Sequence, residues 1–231
     1  MPPQSFATVL LTRPSEGSTR FAAMLEGPVI LSPLLEPRIL PADLPPASSL
    51  IFTSPTAVRA AGSPPATHAW CVGDRTAAVA RQAGYAARSA AGDAEALFRA
   101  ILASKEVGPL LHLRGRESKG DLARRLTEAG IPTAEAVVYE MVPRPLTEEA
   151  RQALRGTSPI VVPLFSPASA RRFMAEAPDA AAPLRFACLS DAVAHVLPND
   201  AMAATAARPD AQAMCDLVTL LQRLETLPTE N

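Results

Sequence analysis

Apolar runs and helix-forming patterns alternate along the whole chain. Several runs are continuously apolar, which is typical of parallel strands that are buried on both faces. The predicted strands are Ala7–Leu11, Leu50–Thr53, Ala69–Val72, Leu110–Leu113, Ala136–Tyr139, Pro159–Phe165 and Arg185–Leu189. The predicted helices are Ser18–Leu25, Pro55–Ala61, Arg75–Ala83, Asp93–Ala103, Ser118–Ala129, Thr147–Leu154, Pro167–Ala175, Asp191–Val196 and Asp210–Leu224. This alternation with short loops predicts an α/β fold built on parallel sheets.

Glycine and proline residues refine this pattern. Gly62, Gly84 and Gly130 stand just beyond predicted helices, where glycine commonly ends a helix. Pro163 removes a hydrogen-bond donor from an otherwise clear strand. The strand is therefore expected to lie at a sheet edge or to carry a bulge there.

Short stretches of the sequence recur roughly 115 residues apart, and two copies of a unit of that size are too few for a solenoid. Ile51–Val58 is echoed by Pro163–Ala170, and Gly92–Phe98 by Pro209–Cys215. Weaker echoes join Leu11–Arg13 to Leu113–Gly115 and Val72–Thr76 to Leu189–Val193. The repeat predicts two similar α/β lobes.

A Ser-Pro pair begins a predicted helix in each copy, at Ser54-Pro55 and at Ser166-Pro167. Serine suits the N-cap, and proline suits the first helical position because its missing N–H has no partner there. The pairs are read either as simple caps or as anion-binding helix N-termini, since such ends line the ligand-binding edge of a doubly wound sheet. Both readings stay open.

A second strand-to-helix junction contains Gly73 and Thr76. Glycine permits close backbone approach to a ligand, and threonine offers a hydroxyl or an N–H group. The segment lacks the glycine spacing of a dinucleotide site and the Gly-Lys-Ser/Thr of a Walker loop.

Basic residues stand at the ends of predicted strands. Arg13, Arg114 and Arg116 occupy such ends, and Lys119 follows one helical turn later. They are either solvated surface charges or, for Arg13 and Arg114, residues that face a shared cleft. Three further arginines lie within predicted helices and are expected on the surface: Arg20, Arg59 and Arg171.

Composition narrows the class of protein. Hydrophobic residues make up 48% of the 231, enough for a core, and the net charge of −1 argues against a basic nucleic-acid-binding surface. Proline, at 24 residues, is in excess, and all but two of the basic residues are arginine. The N-terminus lacks the pattern of a signal peptide, and no apolar run reaches a membrane-spanning length. We therefore expect a soluble cytoplasmic protein.

Metal-binding and triad chemistry are not indicated. The residues concerned are His68, His112 and His195, and Cys71, Cys188 and Cys215. They lack metal-ligand or disulfide spacing, so we expect reduced and mostly buried thiols, with His112 in the core. Tyr139, one of only two tyrosines, ends a strand and is read as a packed aromatic or a functional residue.

Taken in order, these motifs resemble the uroporphyrinogen-III synthase family of tetrapyrrole biosynthesis. The pattern is Leu-Thr-Arg at Leu11–Arg13, Phe-Thr-Ser-Pro at Phe52–Pro55, Val-Gly-x-x-Thr-Ala at Val72–Ala77, Leu-Arg-Gly at Leu113–Gly115, Val-Tyr at Val138–Tyr139 and Phe-Ser-Pro at Phe165–Pro167. Each motif is short, but the ordered set spans essentially the whole chain.

The resemblance implies two flavodoxin-like parallel-sheet lobes joined by a two-stranded linker, with the active site in the interlobe cleft. On this sequence one lobe would hold residues 38–137. The other would combine 1–32 with 144–231, and the linker strands would be 33–37 and 138–143. Such an interleaved arrangement accounts for the offset between the two copies.

The implied reaction cyclises linear hydroxymethylbilane into uroporphyrinogen III, with loss of water and inversion of the last pyrrole ring. No metal or organic cofactor is implied. The expected protein is a monomer whose partners are hydroxymethylbilane and, transiently, hydroxymethylbilane synthase, with no nucleic acid or membrane. The alternative is a non-catalytic two-lobed protein of the same descent that binds small anions.

The resemblance also assigns roles to residues. Tyr139 matches the family's tyrosine on the returning linker and is expected to be the acid that protonates the leaving hydroxyl. Ser54 and Thr76 match ligand-contacting positions. The remaining expected substrate-binding residues are Arg13, Gly73, Arg114, Gly115 and Ser166. The family's second Gly-x-x-Thr junction is replaced here by Ser190–Val193, which removes the Gly and Thr and adds Asp191.

Overall fold

The computed structural model describes residues 6–62, 66–104, 107–117 and 120–224. The strands are β1 (Thr8–Leu11), β2 (Val29–Leu31), β3 (Leu35–Ile39), β4 (Ser49–Phe52), β5 (His68–Cys71), β6 (Ala86–Ser89), β7 (Leu110–Gly115), β8 (Thr133–Pro143), β9 (Ile160–Leu164), β10 (Leu184–Cys188) and β11 (Met202–Thr205). The helices are α1 (Ser15–Ala22), α2 (Pro55–Ala60), α3 (Asp74–Gln82), α4 (Ala94–Ala103), α5 (Leu122–Glu128), α6 (Glu148–Arg155), α7 (Pro167–Glu176), α8 (Asp191–Ala194) and α9 (Ala211–Arg223).

The chain divides into two compact units. The first combines Met1–Glu36 with Pro143–Asn231, and the second is Pro37–Val142. The chain therefore leaves the first unit within β3 and returns to it at the end of β8.

The first unit is built on a five-stranded parallel sheet with the order β2-β1-β9-β10-β11. Counted along the chain this is the order 2-1-3-4-5, which is the flavodoxin-like arrangement. Apolar clusters cover both faces. One forms around Leu10 and Phe173, and the other around Val9 and Met214.

The second unit is built on a six-stranded sheet with the order β3-β8-β7-β4-β5-β6. The strands from β8 to β6 are parallel. Leu40 N–H donates to the Val138 carbonyl, and Arg144 N–H donates to the Leu34 carbonyl. Because the residue numbers rise in one strand as they fall in the other, β3 runs antiparallel to β8.

The repeated sequences occupy equivalent positions in the two sheets. Strands β7, β4, β5 and β6 stand in the same order as β1, β9, β10 and β11. Ser54 and Ser166 each follow the second strand of their series, and the aspartates Asp93 and Asp210 each cap the helix after the last strand. The two-sheet α/β fold is confirmed.

The structure confirms the prediction for three glycines and contradicts the prediction for Pro163. Gly62, Gly84 and Gly130 have positive φ just beyond their helices, as expected. The expectation for Pro163 was wrong, because β9 lies at the centre of its sheet and pairs with β10 without a register shift. The Leu189 N–H donates to the Leu164 carbonyl on the β10 side, whereas the ladder with β1 ends at Val161. The strand therefore accommodates the proline beyond the end of its ladder with β1.

Three strands, β2, β6 and β11, were not predicted. They are short and stand at sheet edges, and the sequences of the last two, AARS and MAAT, contain no long apolar run. The predicted helix Ser118–Ala129 begins at Leu122, while residues 118 and 119 lie outside the described ranges.

Burial agrees with the predictions for the single residues. His112 is buried, and so are all three cysteines, which are free thiols. Burial raises the pKa of the Cys71 thiol to about 11. The predicted surface arginines, Arg20, Arg59 and Arg171, are exposed.

Candidate active site

The strand order reverses at one point in each sheet, and the candidate residues follow the strands that meet there. In the second unit these strands are β4 and β7, and in the first unit they are β9 and β1. Ligands of doubly wound sheets bind beyond the carboxyl ends of the strands at such a reversal. The structure thus brings Ser54 near Gly115 in the second unit, and Ser166 near Arg13 in the first.

Tyr139 lies directly on Gly115. A β-bulge between β7 and β8 places Gly115 opposite Tyr139, although Arg114 is paired with Val137. A Cβ atom added to Gly115 would stand 2.7 Å from Cζ of Tyr139 and 2.9 Å from its hydroxyl oxygen. The absence of a side chain at Gly115 is therefore what lets the phenol ring occupy this position.

The Tyr139 hydroxyl lies 3.1 Å from Oγ of Ser54. Ser54 caps α2, because its Oγ accepts a hydrogen bond from the Ala57 N–H at 3.1 Å. The Ser54 hydroxyl hydrogen remains available to donate to the phenol oxygen. In that arrangement the phenol hydrogen points elsewhere and is available to a ligand.

Arg114 is engaged by its own unit. Its Nε donates to Glu135 Oε2 at 2.9 Å, and its Nη1 donates to the Gly115 carbonyl at 3.1 Å. These contacts hold the end of β7 where Gly115 meets Tyr139. The Arg114 guanidinium is therefore engaged by Glu135 and by the Gly115 carbonyl.

His112 is buried and links two polar side chains that are more exposed. Its Nε2 lies 3.2 Å from Oγ1 of Thr53, and its Nδ1 lies 3.3 Å from Oε1 of Glu135. Burial lowers the pKa of His112, and the opposing effect of Glu135 is smaller. A neutral ring that donates to Glu135 accepts from Thr53, which fixes the residue just before Ser54.

Glu140, the residue after Tyr139, forms salt bridges with two arginines. Its Oε1 accepts from Nε of Arg38 at 2.9 Å and its Oε2 from Nε of Arg116 at 2.7 Å. The hydrogen bonds from Arg38, and then those from Arg116, lower the pKa of this carboxyl group. The Arg116 N–H also donates to the Tyr139 carbonyl, so the cluster holds the backbone at Tyr139.

Gly73 and Thr76 begin helix α3. Gly73 has an extended backbone, and a Cβ added to it would meet nothing closer than the Gly92 carbonyl at 3.8 Å. Its own surroundings would therefore tolerate alanine. Thr76 is buried at the third helical position.

The matching junction in the first unit begins the short helix α8. Val193 is buried there, at the position that Thr76 occupies in α3. Asp191 is exposed at the first helical position, and Asp74 occupies that position in α3. The acid is thus common to both junctions, and the loss of the Gly and Thr is the real difference.

In the first unit, Arg13 and Ser166 line the same cavity, whose volume is about 210 Å³. The Arg13 guanidinium lies 3.9 Å from the centre of the Phe165 ring. Ser166 caps α7 in a capping box with Ser169. Arg172, which was not singled out from the sequence, also lines this cavity.

The remaining basic candidate is Lys119. Lys119 lies outside the described residues. Within the described ranges, histidine, cysteine, aspartate and glutamate side chains form no group of three or more that could hold a metal ion. Among the helices described, none combines the length and the apolar character needed to cross a membrane.

Comparison with known proteins gives one family match. Residues 22–216 match the model of the family described as uroporphyrinogen-III synthase HemD. No curated protein matches the chain.

Solved structures of uroporphyrinogen-III synthases resemble this chain at low sequence identity. Uroporphyrinogen-III synthetase from Helicobacter pylori is 20% identical with a TM-score of 0.66, and the match covers 93% of this chain and 99% of that one. A mutant uroporphyrinogen III synthase from Thermus thermophilus is 14% identical with a TM-score of 0.46, over 94% of this chain and 100% of that one. The first of these matches shows the same fold.

Proposed function

The chain belongs to the uroporphyrinogen-III synthase family, and we propose that Tyr139 is the residue that protonates the hydroxyl group lost by its substrate. The reaction of the chain is that of the family: hydroxymethylbilane is cyclised to uroporphyrinogen III, with loss of water and inversion of the last pyrrole ring. The observation that supports the role of Tyr139 is its position: the ring packs directly against Gly115, and the hydroxyl oxygen lies 3.1 Å from Oγ of Ser54.

The leaving group requires a proton because hydroxide departs poorly from carbon. In the proposed step the C–O bond breaks as Tyr139 transfers its phenol proton to the oxygen, and water leaves. Ser54 donates to the phenolate oxygen that forms, which offsets the charge on it. The carbon that lost the hydroxyl is then attacked by the substituted carbon of the last pyrrole ring, which already carries the methylene bridge to the third ring. The bond from that ring carbon to the bridge breaks, and the bridge carbon bonds instead to the unsubstituted carbon on the other side of the pyrrole nitrogen, which inverts the ring. That ring gives up a proton, which restores the phenol.

Selecting the attacking carbon is a matter of geometry. Ring closure without the enzyme gives the type I isomer, so the protein must hold the two ends of the chain in one arrangement. Proximity and orientation are worth up to about 7–11 kcal/mol in favourable cases. The substrate carries eight carboxylates, and we propose that Arg13, Ser54, Gly73, Thr76, Gly115 and Ser166 contact it, with Arg114 acting through the end of β7.

We further propose that the enzyme acts as a cytoplasmic monomer and needs no cofactor for the step above. Transient contact with hydroxymethylbilane synthase would deliver the substrate. Such contact is favourable because free hydroxymethylbilane closes spontaneously to the wrong isomer.

The test supplies the purified protein with hydroxymethylbilane, made from porphobilinogen by a porphobilinogen deaminase. The products are oxidised and the isomers separated. We expect the type III isomer from the wild type, and formation slowed by about 10²- to 10⁴-fold in Tyr139→Phe without loss of the fold. If the wild type yields only type I, the non-catalytic alternative is favoured. An unchanged rate in Tyr139→Phe would remove Tyr139 from the mechanism.

A further inference from the structure

The first unit contains a cavity beyond the carboxyl ends of β1 and β9. Its volume is about 210 Å³, and Leu34, Leu35 and Phe165 supply apolar walls. Arg13 and Arg172 supply the charge at this cavity, and none of its lining residues is acidic. A largely apolar space with two guanidinium groups suits an organic anion with an apolar body.

Arg172 is one of several described arginines that have no carboxylate nearby. Many of the others lie within 4.0 Å of a carboxylate, as Arg38, Arg114 and Arg116 do. Across the described ranges, no carboxylate lies within that distance of Arg172, although its side chain is partly buried. A partly buried guanidinium without a carboxylate neighbour can form charge-assisted hydrogen bonds with an anionic ligand.

Arg13 is held in place by its neighbours. Its guanidinium stacks on Phe165, and Phe165 in turn packs edge-on against Phe21 with the ring centres 5.2 Å apart. Gly17 lies close to Arg13 as well, and an added Cβ there would stand 2.9 Å from Arg13 Nε. A guanidinium confined in this way loses little further freedom when it binds an anion.

The first turn of α7 offers few backbone N–H groups to an anion. Pro167 has no N–H at the first helical position, and the Ser169 N–H is taken by Ser166 Oγ at 3.1 Å. Ser169 Oγ in turn donates to the Ser166 carbonyl at 2.8 Å. Two of the first three helical positions thus offer no N–H to an anion, and the full positive charges at this cavity are those of the arginines.

We propose that this cavity holds one pyrrole ring of the substrate, with Arg172 binding a carboxylate arm of that ring and Arg13 assisting. The assignment rests on the proposed function, which supplies a ligand made of pyrrole rings with acidic arms. Binding sites for whole drug-sized ligands measure about 300–1,000 Å³. This cavity is smaller and therefore takes one ring rather than the whole tetrapyrrole.

The sequence offers a matched control. Arg171 precedes Arg172 on the same helix, carries the same charge and is exposed, and it does not line the cavity. Arg171→Gln and Arg172→Gln therefore change the net charge and the composition of the helix equally. Only the second removes a cation from the cavity.

The experiment measures KM and kcat for hydroxymethylbilane, together with the fraction of type III product. We expect Arg172→Gln to raise KM by about 10- to 100-fold while kcat stays within about threefold. The type III fraction should fall at low substrate concentration, because spontaneous closure then competes. Arg171→Gln should match the wild type. Arg172→Lys, which keeps the charge without the bidentate geometry, should lie between and covers the case in which Arg172→Gln does not fold.

The outcomes separate the two proposals. If the wild type forms type III and Arg172→Gln behaves as Arg171→Gln does, the cavity assignment is wrong and the proposed function stands. A fall in kcat at unchanged KM in Arg172→Gln would also overturn the assignment, because it indicates a disturbed fold rather than lost binding. Absence of type III from the wild type would overturn the proposed function and this assignment together.

Discussion

Substituting Gly115 by alanine tests whether the position of Tyr139 governs the reaction. The new Cβ would lie 2.7 Å from Cζ of Tyr139, whereas ordinary contacts begin at 3.4 Å, so the ring must retreat by most of an ångström. The obstacle is an aromatic ring packed on a strand, which cannot swing away as a flexible chain end can. A misplacement of about 1 Å at a reacting group can cost about 10²-fold in rate. Overpacking of this kind costs about 1–3 kcal/mol of stability.

The assay compares type III formation in Gly115→Ala, Tyr139→Phe and the double variant, with urea unfolding for each. We expect Gly115→Ala to lose about 10²-fold in rate. If the loss arises through the phenol, the double variant should be no slower than Tyr139→Phe alone, because the two residues act as one unit. Gly73→Ala, where nothing lies closer than 3.8 Å, controls for the effect of a Gly-to-Ala change on stability. A wild-type rate in Gly115→Ala, or losses that multiply in the double variant, would refute this reasoning.

Two further predictions concern capping and acid stability. Ser54→Ala should lose about 1 kcal/mol of unfolding free energy and should also slow the reaction. Thr147→Ala removes the equivalent cap of α6 and should lose similar stability while its reaction rate stays unchanged. Equal rates for the two variants in the isomer assay would contradict the pairing of Ser54 with Tyr139. The Glu140 carboxyl has a lowered pKa in the folded protein, so its contribution to stability is complete above the unfolded pKa of about 4.3 and is lost as the pH falls through the folded pKa. In urea unfolding, Glu140→Gln should therefore lose less stability than the wild type as the pH is lowered. An identical pH profile for the two proteins would show that the two arginines do not stabilise this carboxylate.

The sequence predicts the interior of each sheet well. Every residue of β4 and β9 is buried, and a strand buried on both faces is a nearly continuous apolar run. The strands β6 and β11 were not predicted because they stand at sheet edges, where small or polar residues that are largely exposed suffice. The prediction for Pro163 was wrong for a related reason. The cost of a proline in a strand depends on whether the neighbouring strand needs an N–H donor at that position. This is set by how the strands pair and not by the sequence of the strand itself.

The candidate site is predictable only in part. Residues at strand ends are found because parallel strands deliver them to one edge of a sheet. What each residue does there depends on neighbours that are distant in sequence. Gly115 faces Tyr139 only because of the bulge between β7 and β8, and Arg114 is engaged by Glu135. Arg172 lies inside a helix, four residues before Glu176, and nothing in the sequence indicates that no carboxylate of the described residues comes within 4.0 Å of it.

The interleaved order of the two units has a consequence for synthesis on the ribosome. Every strand pair from β4 to β8 joins residues of one continuous stretch, so the second unit can fold as soon as that stretch has emerged. The first unit cannot, because Thr8 in β1 pairs with Ile160 in β9. Its N-terminal portion must wait while more than half of the chain is made. During that time β1 lacks its partner β9, and the apolar faces of β1 and α1 are not fully covered. Such non-local pairing also slows folding, so the first unit is where synthesis is exposed to aggregation and chaperone dependence.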